Sequence, residues 1–393
     1  KGFVLEDGMC YELPLTYTST ILGTLYDPYI VQDETGISVP FDEEVLNIAY
    51  NIVKSLVYCS SPGFRGYNIA DGCDFQFNYG ANVKNWYTMA FSDDEMFEYV
   101  ATNGTSGAMP ENPTTRYPTS LRTYMRSSWA DNALAMSFIN TDHNTASHGQ
   151  YDHLSITMFA YGKYLLADPG LGPSLLDGAK EYISSAPLHN LVTVNNSDHN
   201  RISKTRELAF ESNKIYDFVD YAGSYTQDVN QSRNVLFLKE QKFWIVGDYA
   251  NPENQTKENS FEQNWQMLPA SKISVDEQTL EIRSNNDDIN VNLIPVGTDG
   301  LNSYFEETVF AHRGGAMEVN QKAVLQKSAV GDAVFNTIIL PRNIKEDFEV
   351  SADVVDTGID PAVVNAFSAR IKNTLTGKEN YYYYYHLNDL SKK

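Results

Sequence analysis

Apolar positions change rhythm along this chain at about residue 116, from a period near 3.6 to a period of 2. Before that point Val45, Leu46, Ile48, Ala49, Ile52, Val53, Leu56 and Val57 recur at helical spacing behind Asp42, which is suited to cap a helix start. The breaker run Ser60-Ser61-Pro62-Gly63 should end that helix. Ser92-Asp93-Asp94-Glu95 reads as a capping box, with Met96, Phe97 and Val100 as the apolar face and Asn103-Gly104 as the stop. A polar, proline-rich stretch from Thr105 to Pro118 then separates the helical part, residues 1–112, from the remainder, residues 113–393.

In that remainder Leu121 to Arg126, Leu154 to Tyr161 and Lys163 to Asp168 alternate, the last two around a tight Tyr161-Gly162-Lys163 turn. Asn234 to Leu238 and Phe243 to Val246 flank Lys239 to Lys242 as a hairpin. Short strands continue to about residue 356, the pattern of a large antiparallel sandwich. The fold class is therefore α+β: a few helices, then a large antiparallel β-sandwich. No internal repeat is visible. The run Tyr381 to Tyr385, followed by His386, fits an edge strand and has no functional reading.

Composition narrows the classes. With 393 residues, 42% hydrophobic and 20% charged, the chain is neither disordered nor collagen-like and can bury a large core. It has no apolar run long enough to span a membrane. A formal charge of −22 argues against nucleic acid, whose phosphates require a basic face. The 26 tyrosines, 19 phenylalanines and 4 tryptophans suit a carbohydrate groove and equally suit ordinary sheet surfaces. Three cysteines make no disulfide framework; Cys59 and Cys73 could pair in an oxidising compartment, leaving one thiol over. The chain opens at Lys1 with no signal peptide in view, and reads as a mature form or a piece of something longer.

Candidate chemistry gathers at strand ends. His148 and Gln150 lie just before one strand, Asp168 at the end of its hairpin partner, and His189 just before a third. In a sandwich these residues could meet at one edge. A glutamine carbonyl, a carboxylate and an imidazole offer mixed oxygen and nitrogen ligands for one divalent cation, and the same residues can equally serve as strand-end caps.

The runs from His148 to Ser155, Gly162 to Gly170 and His189 to Val194 resemble the heparinase II/III family of polysaccharide lyases, which includes oligoalginate lyases. Arg126-Ser127-Ser128-Trp129 is similar to the strand opening that family's sheet domain, and Asp7 to Tyr17 to the segment ending in its catalytic tyrosine. The resemblance covers most of residues 1–200. It implies cleavage of a uronic-acid polysaccharide, such as heparan sulfate or alginate, by β-elimination at the end of an incomplete α/α toroid. Tyr17 matches the tyrosine serving as acid, sometimes also as base, and His148 its histidine partner. Gln150, Asp168 and His189 match the metal position. Many members carry a second histidine where Gln150 stands, so the ion tilts from zinc towards calcium or manganese, in a structural role. The substrate class implies a secreted or periplasmic protein.

Electrostatics pose a problem, because a chain of charge −22 repels a polyanion at long range. Arg116, Arg122 and Arg126 lie close in sequence, and Arg122, Tyr124 and Arg126 would share one strand face able to hold carboxylates or sulfates. Paired surface arginines are the plain alternative; Arg65 is a weaker candidate. The family's carboxylate-neutralising Asn or His–Glu element belongs to helices upstream of the tyrosine, which these residues do not include. Two rivals stand beside the lyase: a carbohydrate-binding scaffold with the same sandwich, and a hydrolase using Asp152 and Asp168.

Overall fold

The computed structural model describes residues 4–10, 14–37, 42–72, 77–142, 148–172, 178–200, 203–312, 316–343, 345 and 348–388. Its helices come first: α1 (Leu15–Thr35), α2 (Glu43–Cys59), α3 (Gly80–Ala90) and α4 (Glu95–Ala101), with α5 (Ala179–Ile183) later inside a loop. Asp42 caps α2 as expected, its carboxylate accepting from the Glu44 N–H at 3.1 Å, and Ser60 ends the helix. At α4 the cap is Asp94 rather than Ser92: its carboxylate takes the Phe97 N–H at 2.9 Å, the N-cap-to-N3 spacing. Cys59 is buried with its sulfur 3.4 Å from that of Met9, and burial pushes its thiol up to about 12. Cys73, its suggested partner, lies outside the described residues.

Four antiparallel sheets follow. The first is a meander of β1 (Thr115–Tyr117), β2 (Arg122–Arg126), β3 (Ala135–Ile139), β4 (Ile156–Ala160) and β5 (Lys163–Leu166). Next in the chain come β6 (Val192–Val194), β7 (Arg206–Ser212), β8 (Tyr216–Thr226), β9 (Val229–Leu238), β10 (Phe243–Pro252) and β11 (Glu258–Gln266). Then come β12 (Ile273–Val275), β13 (Ile282–Ser284), β14 (Ile289–Val296), β15 (Asn302–Ala311), β16 (Met317–Val330) and β17 (Ala333–Asn343). An eight-stranded sheet orders these β12-β13-β14-β17-β10-β9-β8-β7, and a four-stranded sheet runs β15-β16-β11-β6. Finally β18 (Phe348–Val354), β19 (Val364–Asn373) and β20 (Glu379–Leu387) form a small sheet in which β20 is an edge.

Strand alternation explains the layering. On β10, Trp244 and Val246 join the central core shared with Met125, Met136, Ile156 and Phe261, while Phe243 and Ile245 face a second core with Phe367, Ile371 and Tyr384 of the small sheet. The predicted hairpin is present, with Leu238 opposite Phe243. On β2, Met125 faces the central core and Tyr124 the helices, where it packs with Tyr67 and Tyr117. The order from one side to the other is helices, five- and four-stranded sheets, eight-stranded sheet, small sheet.

Candidate active site

Tyr17 lies in the first turn of α1, where its N–H donates to the Pro14 carbonyl at 3.1 Å. Proline suits this entry because its extended backbone breaks the preceding chain and leads into the helix. The rest of the amino-terminal segment is held by Asp7, whose carboxylate accepts from the N–H groups of Thr119 and Ser120 at 3.1 and 2.9 Å. Glu12, in the same motif, lies outside the described residues.

His148 comes from the sheet side, on the loop leading into β4. Its ring stacks on that of Tyr17, with centroids 3.9 Å apart and planes 20° from parallel. Both residues are half-buried. Two residues far apart in the chain thus share one spot at the seam between helices and sheet. Sequence reasoning missed what holds the histidine. Asp71, buried in a turn after α2, places Oδ2 3.2 Å from His148 Nδ1, and its N–H donates to the His148 carbonyl at 3.1 Å. Ala70, just before it, sits at φ 53°, a left-handed conformation costing a non-glycine residue about 1–3 kcal/mol. Lys180 of α5 also reaches Asp71 Oδ2, at 3.0 Å.

Of the three residues matched to a metal position, Asp168 and His189 are in contact, and Gln150 is linked to them through Gly170. Asp168 Oδ2 lies 3.1 Å from His189 Nδ1, and Asp168 Oδ1 takes the Gly170 N–H at 3.0 Å. Gln150 donates from Nε2 to the Gly170 carbonyl and to Asp71, both at 3.0 Å. All three are buried. Burial pushes the Asp168 carboxyl up; burial opposes charge on His189 too, but Asp168 beside it outweighs that and raises the imidazole. Gln150 Oε1 and His189 Nε2 are buried with no hydrogen-bond partner among the described residues. Two orphaned polar atoms on residues tied to the Asp168–Gly170 turn are what a cation would satisfy, so this donor set fits one. Among the described residues no group of three His, Cys, Asp or Glu side chains is placed to hold a metal ion.

The arginine face requires correction. Arg122, Tyr124 and Arg126 do share one side of β2, but that side is roofed by the helices, and all three are buried. Arg126 donates from Nη2 to the carbonyls of Tyr58 and Ser60 at 2.8 and 2.7 Å and lies 4.1 Å over the Trp129 ring. Arg122 Nε bonds Thr141 Oγ1 at 3.0 Å. Alternation tells which side chains share a face and not what covers it. Arg126 ties the sheet to the end of α2, and none of the three presents an open face to solvent. Arg116 pairs with Glu207 at 2.7 Å, and Arg65 is exposed in a separate cleft with Phe64, Tyr99 and Trp129. The hydrolase pair fares no better: Asp152 and Asp168 are both buried, and Asp168 is engaged by His189.

Comparison with known proteins identifies the fold. The heparinase II/III-like C-terminal family profile matches residues 118–353. A heparin-sulfate lyase of Bacteroides stercoris is 22% identical over 348 residues, 86% of this chain and 51% of that protein. The crystal structure of heparan sulfate lyase HepC from Pedobacter heparinus superposes with a TM-score of 0.84 at 19% identity, covering 98% of this chain and 60% of HepC. The crystal structure of a heparinase III gives 0.83 at 17% identity, covering 98% of this chain and 61% of that one. The chain thus spans between half and two thirds of the length of these relatives, and shares their fold over nearly its whole extent. With the family profile covering more than half of its residues, the chain belongs to the heparinase II/III-like family.

Proposed function

We propose that this protein is a polysaccharide lyase that cleaves an acidic, uronic-acid-containing polysaccharide of the heparan sulfate type by β-elimination. In this reaction a base removes the proton at C5, beside the carboxylate. The C4–oxygen bond breaks as a C4–C5 double bond forms, and an acid protonates the departing oxygen. His148 is the base and Tyr17 the acid. The observation that carries the reading is their face-to-face contact at 3.9 Å across the seam, in a chain of this family. Asp71 accepts from Nδ1 and thereby leaves the Nε2 lone pair of a neutral imidazole for the proton.

Gln150, Asp168 and His189 would hold one divalent cation, calcium, manganese or zinc. When bound it would neutralise the buried carboxylate and fasten the loop that carries His148. Replacing Asp168 with alanine is expected to lower metal content and melting temperature together, measured by elemental analysis and calorimetry. Unchanged metal stoichiometry would remove the assignment.

The test of function is a screen of heparan sulfate, heparin, hyaluronan, chondroitin sulfates, alginate and polyglucuronate for ultraviolet absorbance of the unsaturated product. Absorbance on one polymer establishes the lyase and names its substrate. Binding with no absorbance on any polymer would instead mean a carbohydrate-binding protein. No described helix is long and apolar enough to cross a membrane, and a large extracellular substrate implies a secreted or periplasmic protein.

A further inference from the structure

We propose that Asp71 and Lys180 complete the proton-transfer unit, Asp71 as the positioning residue of His148 and Lys180 as the cation that meets the acidic group of the polysaccharide. The inference rests on the lyase reading above. Neither residue belongs to a recognisable motif, and the fold brings them together.

The geometry is economical. Asp71 uses both oxygens: Oδ1 takes the Gln150 amide at 3.0 Å, while Oδ2 is shared by His148 Nδ1 at 3.2 Å and Lys180 Nζ at 3.0 Å. Its N–H adds the bond to the His148 carbonyl, so the histidine is gripped by side chain and main chain at once. An ionised carboxylate only accepts, so the ring presents N–H at Nδ1 and its lone pair at Nε2. The Asp71 side chain is 1% exposed, that of His148 25% and that of Lys180 39%. Exposure therefore increases from the carboxylate outwards to the imidazole and the ammonium group.

Lys180 is placed by backbone. A Cβ on Gly172 would lie 2.7 Å from the Lys180 Cα and 2.8 Å from the Ala179 carbonyl oxygen, so the loop after Asp168 can lie against α5 only because glycine stands there. An ammonium group has three donors, and Asp71 takes one. The others are available to a carboxylate or sulfate on the sugar. A local cation beside the reacting pair answers the repulsion expected from the net charge, since the long-range field is screened within about 8 Å at physiological salt while a direct contact is not. Among the described residues, Tyr17 from α1 and Asp71 from the turn touch His148, and Lys180 from α5 shares the Asp71 carboxylate oxygen with it.

The experiment uses the protein with whichever polymer the screen identifies. Asp71→Asn is expected to lower kcat by about 10²–10⁴ with KM little changed, because an amide can donate to Nδ1 and hold the wrong tautomer. Lys180→Met is expected to raise KM about tenfold or more on the charged polymer with kcat retained, and Lys180→Arg to recover most of the loss. Equal loss in Lys180→Arg and Lys180→Met, or an unchanged KM in both, would overturn the substrate contact. A second readout does not need turnover. The ¹⁵N spectrum of histidine-labelled protein should show His148 as the Nδ1–H tautomer, changed in Asp71→Asn; the opposite tautomer in the unmodified protein would overturn the positioning role. An inactive protein with the expected tautomer refutes the lyase reading and leaves the Asp71 contact standing, so the two failures are told apart.

Discussion

Tyr17→Phe is expected to abolish the proposed elimination while leaving polysaccharide binding and the fold in place. The substitution keeps the phenyl ring, and with it the 3.9 Å stacking that seats His148, and removes only the hydroxyl. General acid catalysis contributes about 10²–10⁴ in rate, and the leaving oxygen of a sugar cannot depart as an alkoxide, so a loss of at least about 10³ in kcat is expected. The measurement is initial rate by product absorbance, beside binding by calorimetry and melting temperature. Tyr17 is half-buried in the first turn of a helix and is not part of a core cluster, so the melting temperature should move little. Activity within threefold of the unmodified protein would place the acid elsewhere.

The second large effect lies in the sandwich. Arg233 of β9 is fully buried and forks onto Asp248 of β10, Nε to Oδ1 at 2.7 Å and Nη2 to Oδ2 at 2.9 Å. Its Nη1 donates to the carbonyls of Leu154 and Asn190, and Gln263 donates to Asp248 at 2.7 Å. Arg233→Met therefore leaves a buried carboxylate with one amide for company and strips two carbonyls of a donor. Breaking a buried pair in this way costs about 3–5 kcal/mol. A fall in the urea midpoint with an unchanged slope would report it. The double variant Arg233→Met/Asp248→Leu should regain most of the loss, because removing both charges leaves nothing to desolvate. Since Leu154 and Asn190 adjoin His153 and His189, the single variant should also lose activity at temperatures where it remains folded.

Much of the framework was readable before any coordinates. Asp42 starts a helix where a short polar side chain precedes an apolar period, and Lys239 to Lys242 turn a hairpin between two alternating runs; both signals are local. The pairing of Tyr17 with His148 was reached through family resemblance, since no periodicity connects position 17 with position 148. Helix α1 was not singled out because it has no apolar stripe: its buried residues are Leu15, Thr18, Ser19 and Leu22, and Pro28 interrupts it. The misplaced arginines show the limit of alternation, since β2 is buried on both faces and its polar-looking side is covered by helices distant in sequence. Asp71 was invisible because a turn residue acquires a role only from what tertiary contact brings to it. A positive-φ alanine beside it is the clue that coordinates supply.

The seam that joins Tyr17 to His148 also sets a timetable for the newborn chain. The loop of His189 is pinned when β6 pairs with β11, Val194 opposite Phe261, so the site cannot close until that strand has been made. At 5–20 residues per second, roughly ten to fifty seconds pass between the synthesis of α1 and that pairing. Until β1 to β5 have been made, the helices hold out Tyr67 and its neighbours to sheet strands that do not yet exist. On the ribosome, the amino-terminal segment is a waiting, sticky surface, and shielding it would be the demand this architecture makes on chaperones.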